Sequence, residues 1–179
     1  GADNLVGGAG NDTLLGASFS SGVSGVGDGN DSLDGGDGDD IMRGNAGDDI
    51  LLGGNGNDNL RGDYGSDTLN GGEGTDFASY RFDEAGQNIP SIFFDLSGYV
   101  ASETGTILAD GLGGTDTLIS IESLGVGGSQ GNDTIIGSSY SDQLTGNDGD
   151  DTLTGNGGDD RYQYFVATDE GGNVTAADG

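Results

Sequence analysis

Aliphatic residues recur every nine positions through the first half of this chain: Leu33, Met42, Leu51, Leu60 and Leu69. Each stands two residues after an aspartate, and Asp31, Asp40, Asp49, Asp58, Asp67 and Asp76 keep the same spacing. Glycines fill the interval, so the unit reads Gly-Gly-x-Gly-x-Asp-x-aliphatic-x. Its clearest copy is Gly53-Gly54-Asn55-Gly56-Asn57-Asp58-Asn59-Leu60-Arg61. A fixed period decides the fold, because each unit can bury its apolar face only against its neighbours. Nine residues divide into a six-residue turn and a three-residue strand. Two units then make one coil, and strands of successive coils stack parallel about 4.8 Å apart. Glycine serves the sharp bend, where φ is positive. The aliphatic residue points inward, while its predecessor (Ser32, Asn59 or Thr68) points outward by the two-residue alternation of a strand. The expected architecture is all-β: a flat, two-sheet coil with ladders of aliphatic side chains inside.

The array extends both ways. Upstream, Asp3 lies in a truncated copy and Asp12 in a complete one, Gly7 to Leu15. Asp12 and Asp31 are 19 residues apart, two periods plus one. The interval is expected to hold one more unit, Gly16 to Ser24, with Ser21 in the aspartate position, Val23 in the aliphatic position and Gly25 as the extra residue. Downstream, Asp133, Asp142, Asp151 and Asp160 form a second array with Ile135, Leu144 and Leu153, and Tyr162 closes it. A related run, Gly114 to Glu122, places Asp116 before Leu118. The organisation read from this is a first block at 1–80, a strand-rich connection at 81–127, a second block at 128–163, and a capping strand and tail at 164–179.

These repeats resemble the RTX family, the glycine- and aspartate-rich nonapeptide repeats of secreted bacterial proteins. The resemblance covers most of 1–80 and 128–163. It implies a parallel β-roll, a right-handed β-helix or solenoid, in which turn carbonyls join the aspartates in binding calcium.

The residues support a cation without the family. Units n and n+2 share an edge, so their aspartates stand roughly 5 Å apart. At an effective dielectric of ~20, two such charges repel by about 3 kcal/mol. A hard divalent ion reverses that sign. Calcium takes six to eight oxygen ligands in tolerant geometry, whereas magnesium demands a tighter octahedron. Transition metals are disfavoured, since the chain has no His and no Cys. The expected ligands are Asp3, Asp12, Asp31, Asp40, Asp49, Asp58, Asp67, Asp76, Asp116, Asp133, Asp142, Asp151 and Asp160, two per ion. Turn formation alone explains aspartate beside glycine, but it does not require one phase over six consecutive units. An EF-hand at Asp37 to Asp40 fails for want of flanking helices. A phosphate loop fails because the chain contains no Lys. The Asn-x-Ser/Thr triplets at Asn11, Asn30 and Asn132 are part of the turn.

Composition adds a condition. Among 179 residues there are 41 glycines, and the net charge is −28, with four arginines as the only cationic side chains. Such a chain is disordered by composition, and self-repulsion adds to the cost of compaction. Metal binding has to supply the difference, so binding free energy is folding free energy. Nucleic acid is excluded as a partner, because no basic patch exists. No apolar run approaches the roughly 20 residues of a membrane span. The chain begins inside a repeat, without a visible leader or export signal, and is read as part of a larger protein.

The connection breaks the rhythm. Phe77 to Phe82, Ile92 to Leu96 and Thr117 to Ile121 read as strands, with Pro90 before the second. Two readings stand: wider rungs of the same coil bridged by aromatics, or a ligand-binding face built from Tyr80, Tyr99 and the loop Ala101 to Gly113. Tyr162 to Val166 reads as an apolar strand covering the end of the ladder. Functionally, the chain is expected to be a calcium-binding structural module of a secreted bacterial protein, folding outside the cell and supporting export and stability of neighbouring domains. The alternative is a self-assembling surface-layer, filament or adhesin component. Catalysis is not expected: no His, Cys or Lys is present, and the glutamates are scattered without a pair.

Overall fold

The computed structural model describes residues 1–16, 29–81, 91–99, 101, 106–108 and 114–163. Every element among them is a strand. The first array gives β1 (Asn4–Ala9), β2 (Thr13–Leu15), β3 (Ser32–Asp37), β4 (Ile41–Ala46), β5 (Ile50–Asn55), β6 (Asn59–Tyr64), β7 (Thr68–Glu73) and β8 (Phe77–Arg81). The connection gives β9 (Phe93–Asp95), β10 (Thr106–Leu108), β11 (Asp116–Ile119) and β12 (Ser123–Gly127). The second array gives β13 (Thr134–Ile136), β14 (Gln143–Thr145), β15 (Thr152–Thr154) and β16 (Arg161–Gln163).

Successive strands alternate between two walls, as a two-unit coil requires. One wall is a sheet in the order β1-β3-β5-β7-β11-β10. The other runs β2-β4-β6-β8-β12-β14-β16, so a single sheet passes through both arrays. A third sheet, β9-β13-β15, takes the first wall's part alongside the second array. Pairing is parallel throughout, except between β10 and β11. The parallel β-roll expected from the period is therefore the observed fold.

The register places each aliphatic residue on its counterpart one coil away: Leu33 on Leu51, Leu51 on Leu69, and Leu69 on Leu118. Across the molecule Leu14, Met42, Leu60, Ala78 and Leu124 form the facing ladder. All of these are buried, and they merge with Ile135 and Leu144 into one core. Each buried leucine stabilises the roll by about 1.5–3 kcal/mol relative to exposure.

The unit expected at Gly16 to Ser24 lies, beyond Gly16, outside the described residues; among the described strands β1 pairs directly with β3, and β2 with β4. The six-plus-three division holds only in part. In the first array six of the eight strands span six residues, and on one wall pairing continues through the glycine doublets, Gly36 on Gly54 and Gly54 on Gly72. Gly36 shows why the doublet is needed: its φ is +104°, and a Cβ there would strike the carbonyl of Gly8 one coil away. The second array keeps three-residue strands.

The connection continues the coil. β8, β11 and β12 enter the walls as rungs, and Tyr80, Phe94 and Tyr99 turn inward while Phe93 stays exposed. Tyr80 and Phe94 pack with ring centroids 5.1 Å apart. Tyr99 donates its hydroxyl to the Ile121 carbonyl at 2.7 Å. Both tyrosines are buried, so they cannot form the binding face proposed for them; most of the loop Ala101 to Gly113 lies outside the described residues. Of the expected last strand, Tyr162 and Gln163 fall in β16 and the remainder lies outside the described residues.

Candidate metal sites

Each turn delivers an aspartate to the rim of the roll, where it meets the aspartate one coil away. The N–H groups of Asp3, Asp12, Asp31, Asp40, Asp49, Asp58 and Asp67 donate to Oδ1 of Asp31, Asp40, Asp49, Asp58, Asp67, Asp76 and Asp116, respectively, at 2.7–2.9 Å. Asp133 and Asp142 donate likewise to Asp151 and Asp160. Asp76 donates instead to Glu122 Oε2 at 2.9 Å. Glu122 was not among the expected site residues. It precedes the buried Leu124 by two positions, the same signal that marks every aspartate in the array.

A second ladder runs beside the first in the opposite sense. The residue preceding each aspartate accepts an N–H from the following coil: Asn11 from Asp39, Asp39 from Asn57, Asn57 from Thr75, and Asp48 from Ser66. In the second array Asn132 accepts from Asp150. Asn, Asp, Ser or Thr occupies this position in nearly every unit, and its acceptor role was not among the expectations.

The ladders account for one carboxylate oxygen and leave the other. Oδ2 of Asp12, Asp40, Asp58 and Asp76, all on one rim, is buried and has no hydrogen-bond partner. A buried carboxylate oxygen without a donor is costly. A carbon added to Gly53 would collide with Asp58 Oδ2 and with the carbonyl of Gly71, the first glycine of the next coil. The same two kinds of oxygen converge beside Gly7 and Gly35, and beside Gly71 the carbonyl is that of Ser120. Burial, with added repulsion from Asp58 and Glu122, pushes the Asp76 carboxyl up to about 6. Burial pushes Asp58 up as well. These rims are starved of positive charge.

The donor set fits calcium. It is made only of oxygens, and among the described residues no three acidic side chains cluster. An ion there has to combine carboxylate with backbone carbonyl, as a large and geometrically tolerant cation does. When bound, calcium supplies the charge compensation and the oxygen coordination that no protein donor provides at these corners.

Other expected ligands sit differently. Asp3 is exposed, and Asp151 and Asp160 are half-buried. Asp116 Oδ2 accepts the Tyr80 hydroxyl at 3.0 Å. Asp133 and Asp142 accept donors from their own turns, Ser129 and Ser138. Away from the aspartate ladders, Arg43 and Arg61 both bind Asp63, which occupies a second-glycine position at a φ of 76°.

Four stretches, residues 1–18, 26–51, 43–78 and 127–162, match the RTX calcium-binding nonapeptide repeat and together cover more than half of the chain. The unmatched interval between the first two, 19–25, lies outside the described residues. No curated protein matches the chain. Among the described residues no helix is long and apolar enough to cross a membrane. The repeats bind Ca2+, several ions to a chain with this many copies. They are structural rather than catalytic, and they typically occur in secreted bacterial proteins. With its period, its parallel roll and its acid-lined rims, this chain belongs to the RTX calcium-binding nonapeptide repeat family.

Proposed function

We propose that this chain is a calcium-dependent structural module of a larger secreted bacterial protein, held unfolded inside the cell and folded outside it. The observation that carries this reading is the row of buried, donorless carboxylate oxygens at Asp12, Asp40, Asp58 and Asp76. We assign these as ligands, together with Asp31, Asp49 and Asp67 on the opposite rim. Extracellular calcium modules work at about 10⁻⁴–10⁻³ M, so submicromolar cytosolic calcium leaves such sites empty and millimolar external calcium fills them. The ordering of a glycine-rich chain of net charge −28 is then coupled to exit from the cell. The folded roll supports export and gives neighbouring domains a rigid base.

Far-UV circular dichroism with 5 mM Ca2+ and with excess chelator tests this. A β-spectrum should appear only with calcium, and equal spectra in both would refute it. Sedimentation at saturating calcium should show a monomer; ordered polymers would replace the module with a surface-assembly component.

A further inference from the structure

Two corners of the roll are built on a different plan. In the first array, the second residue of the turn is glycine at positive φ on one wall (Gly36, Gly54, Gly72) and Asn45 or Asp63, also at positive φ, on the other. In the turns leading to Asp133 and Asp142 that residue is Ser129 and Ser138. Neither is among the described residues at positive φ. A β-carbon disfavours that region, and serine lacks the local compensation that Asn and Asp find there. The backbone takes another course and aims the serine N–H at the aspartate four residues on.

The result is a closed carboxylate. Ser129 N–H donates to Asp133 Oδ2 at 2.6 Å, its hydroxyl donates to Oδ1 at 2.7 Å, and Ile92 N–H donates to Oδ1 at 2.7 Å. Ser138 repeats the pattern on Asp142, with its N–H at 2.6 Å and its hydroxyl at 2.9 Å from Oδ2. Both serines and both aspartates are buried. A carbon added to Gly128 or Gly137 would still meet the aspartate Oδ2 and the carbonyl of Gly146 or Gly155, as at Gly53, so the serine donors are what distinguish these corners.

The preceding coil offers no acid either. The pairing of Phe94 with Ile135 sets Asp133 opposite Ile92. The pairing of Val126 with Leu144 sets Asp142 opposite Leu124, two residues past Glu122, and the Leu124 N–H donates to it. Each serine turn therefore opens its acid ladder, facing an aliphatic residue.

We propose that the Asp133 and Asp142 corners bind no calcium, because Ser129 and Ser138 supply the donors that elsewhere are replaced by the ion. The second residue of the turn thus decides which corners of this roll load metal. This rests on the calcium reading of the other corners. It makes the segment around β12, β13 and β14 a section whose corners are closed by the protein itself.

Native mass spectrometry of the whole chain at saturating Ca2+ counts the ions directly. Asp133→Asn should leave the count unchanged, and Asp58→Asn should lower it. Ser129→Gly completes the Gly-Gly-x-Gly-x-Asp turn at 128–133 and should raise the count by about one ion, with an unchanged β-spectrum. Loss of an ion in Asp133→Asn, or no gain in Ser129→Gly, would overturn the inference. A count unaffected by Asp58→Asn would instead break the calcium reading of the first rim, with the Ser129→Gly count still deciding the role of the serine.

Discussion

The two arrays share a nine-residue period and one continuous sheet, yet they settle the charge at their corners by different means. In the first, most strands run six residues and those of one wall pair through their glycine doublets, and one rim carries four buried oxygens with no donor. In the second, strands run three residues, serine or asparagine replaces the second glycine, and the carboxylates of Asp133 and Asp142 are satisfied by their own turns. An identical hydrophobic period thus builds an identical core, while a single turn position sets how far each coil depends on the ion.

Removing the metal should separate the arrays most sharply. As calcium is titrated away, hydrogen exchange should show β3 to β7 losing protection at a higher calcium concentration than β12 to β14; loss at one concentration across both arrays would erase the contrast. In calcium, the two interiors should behave alike. Leu51→Ala and Ile135→Ala, both fully buried sites, should each cost about 2–5 kcal/mol in denaturant unfolding, and a marked difference between them would mean that the cores are not equivalent. Gly36→Ala should cost about 1–3 kcal/mol from its left-handed backbone, with further loss from the clash with Gly8. Asn147→Gly at the matching position should lose only the bond to the Gly128 carbonyl, about 1 kcal/mol. Thermal midpoints of the two variants compare them. The smallest effect belongs to the counter-running ladder: Asn57→Ala leaves the Thr75 N–H without its acceptor and, at an exposed site, should lower stability by about 0.5–1 kcal/mol.

Much of this was legible in the sequence because the period is local. A nine-residue spacing of Leu33, Met42, Leu51, Leu60 and Leu69 fixes which side chains face inward and which coils they stack upon. Features set by partners far along the chain were not legible. Rung order is decided by which strands pair, and β1 reaches β3 across 22 intervening residues, Gly10 to Asp31, a pairing no local spacing announces. The antiparallel strand β10 depends on β11 for its place, and its own residues show no repeat. The sequence left Tyr80 and Tyr99 open between bridging the coil and forming a binding face; their burial against Phe94, Asp116 and Ile121 decides for the interior. Glu122 and the Asn/Asp/Ser position before each aspartate were visible as residues, but their acceptor roles exist only once coils are stacked. The serine closure was open to reading in principle: Ser129 and Ser138 stand where glycine is the rule.

The sheet that carries β2 through β16 has a mechanical consequence. Tension along the roll would travel down that wall from one amide row to the next without a break, as along a keel. The facing wall is divided between two sheets, so among the described strands no single ladder of amides runs its length. A pulling experiment on such a body would find one stiff flank and one that yields first.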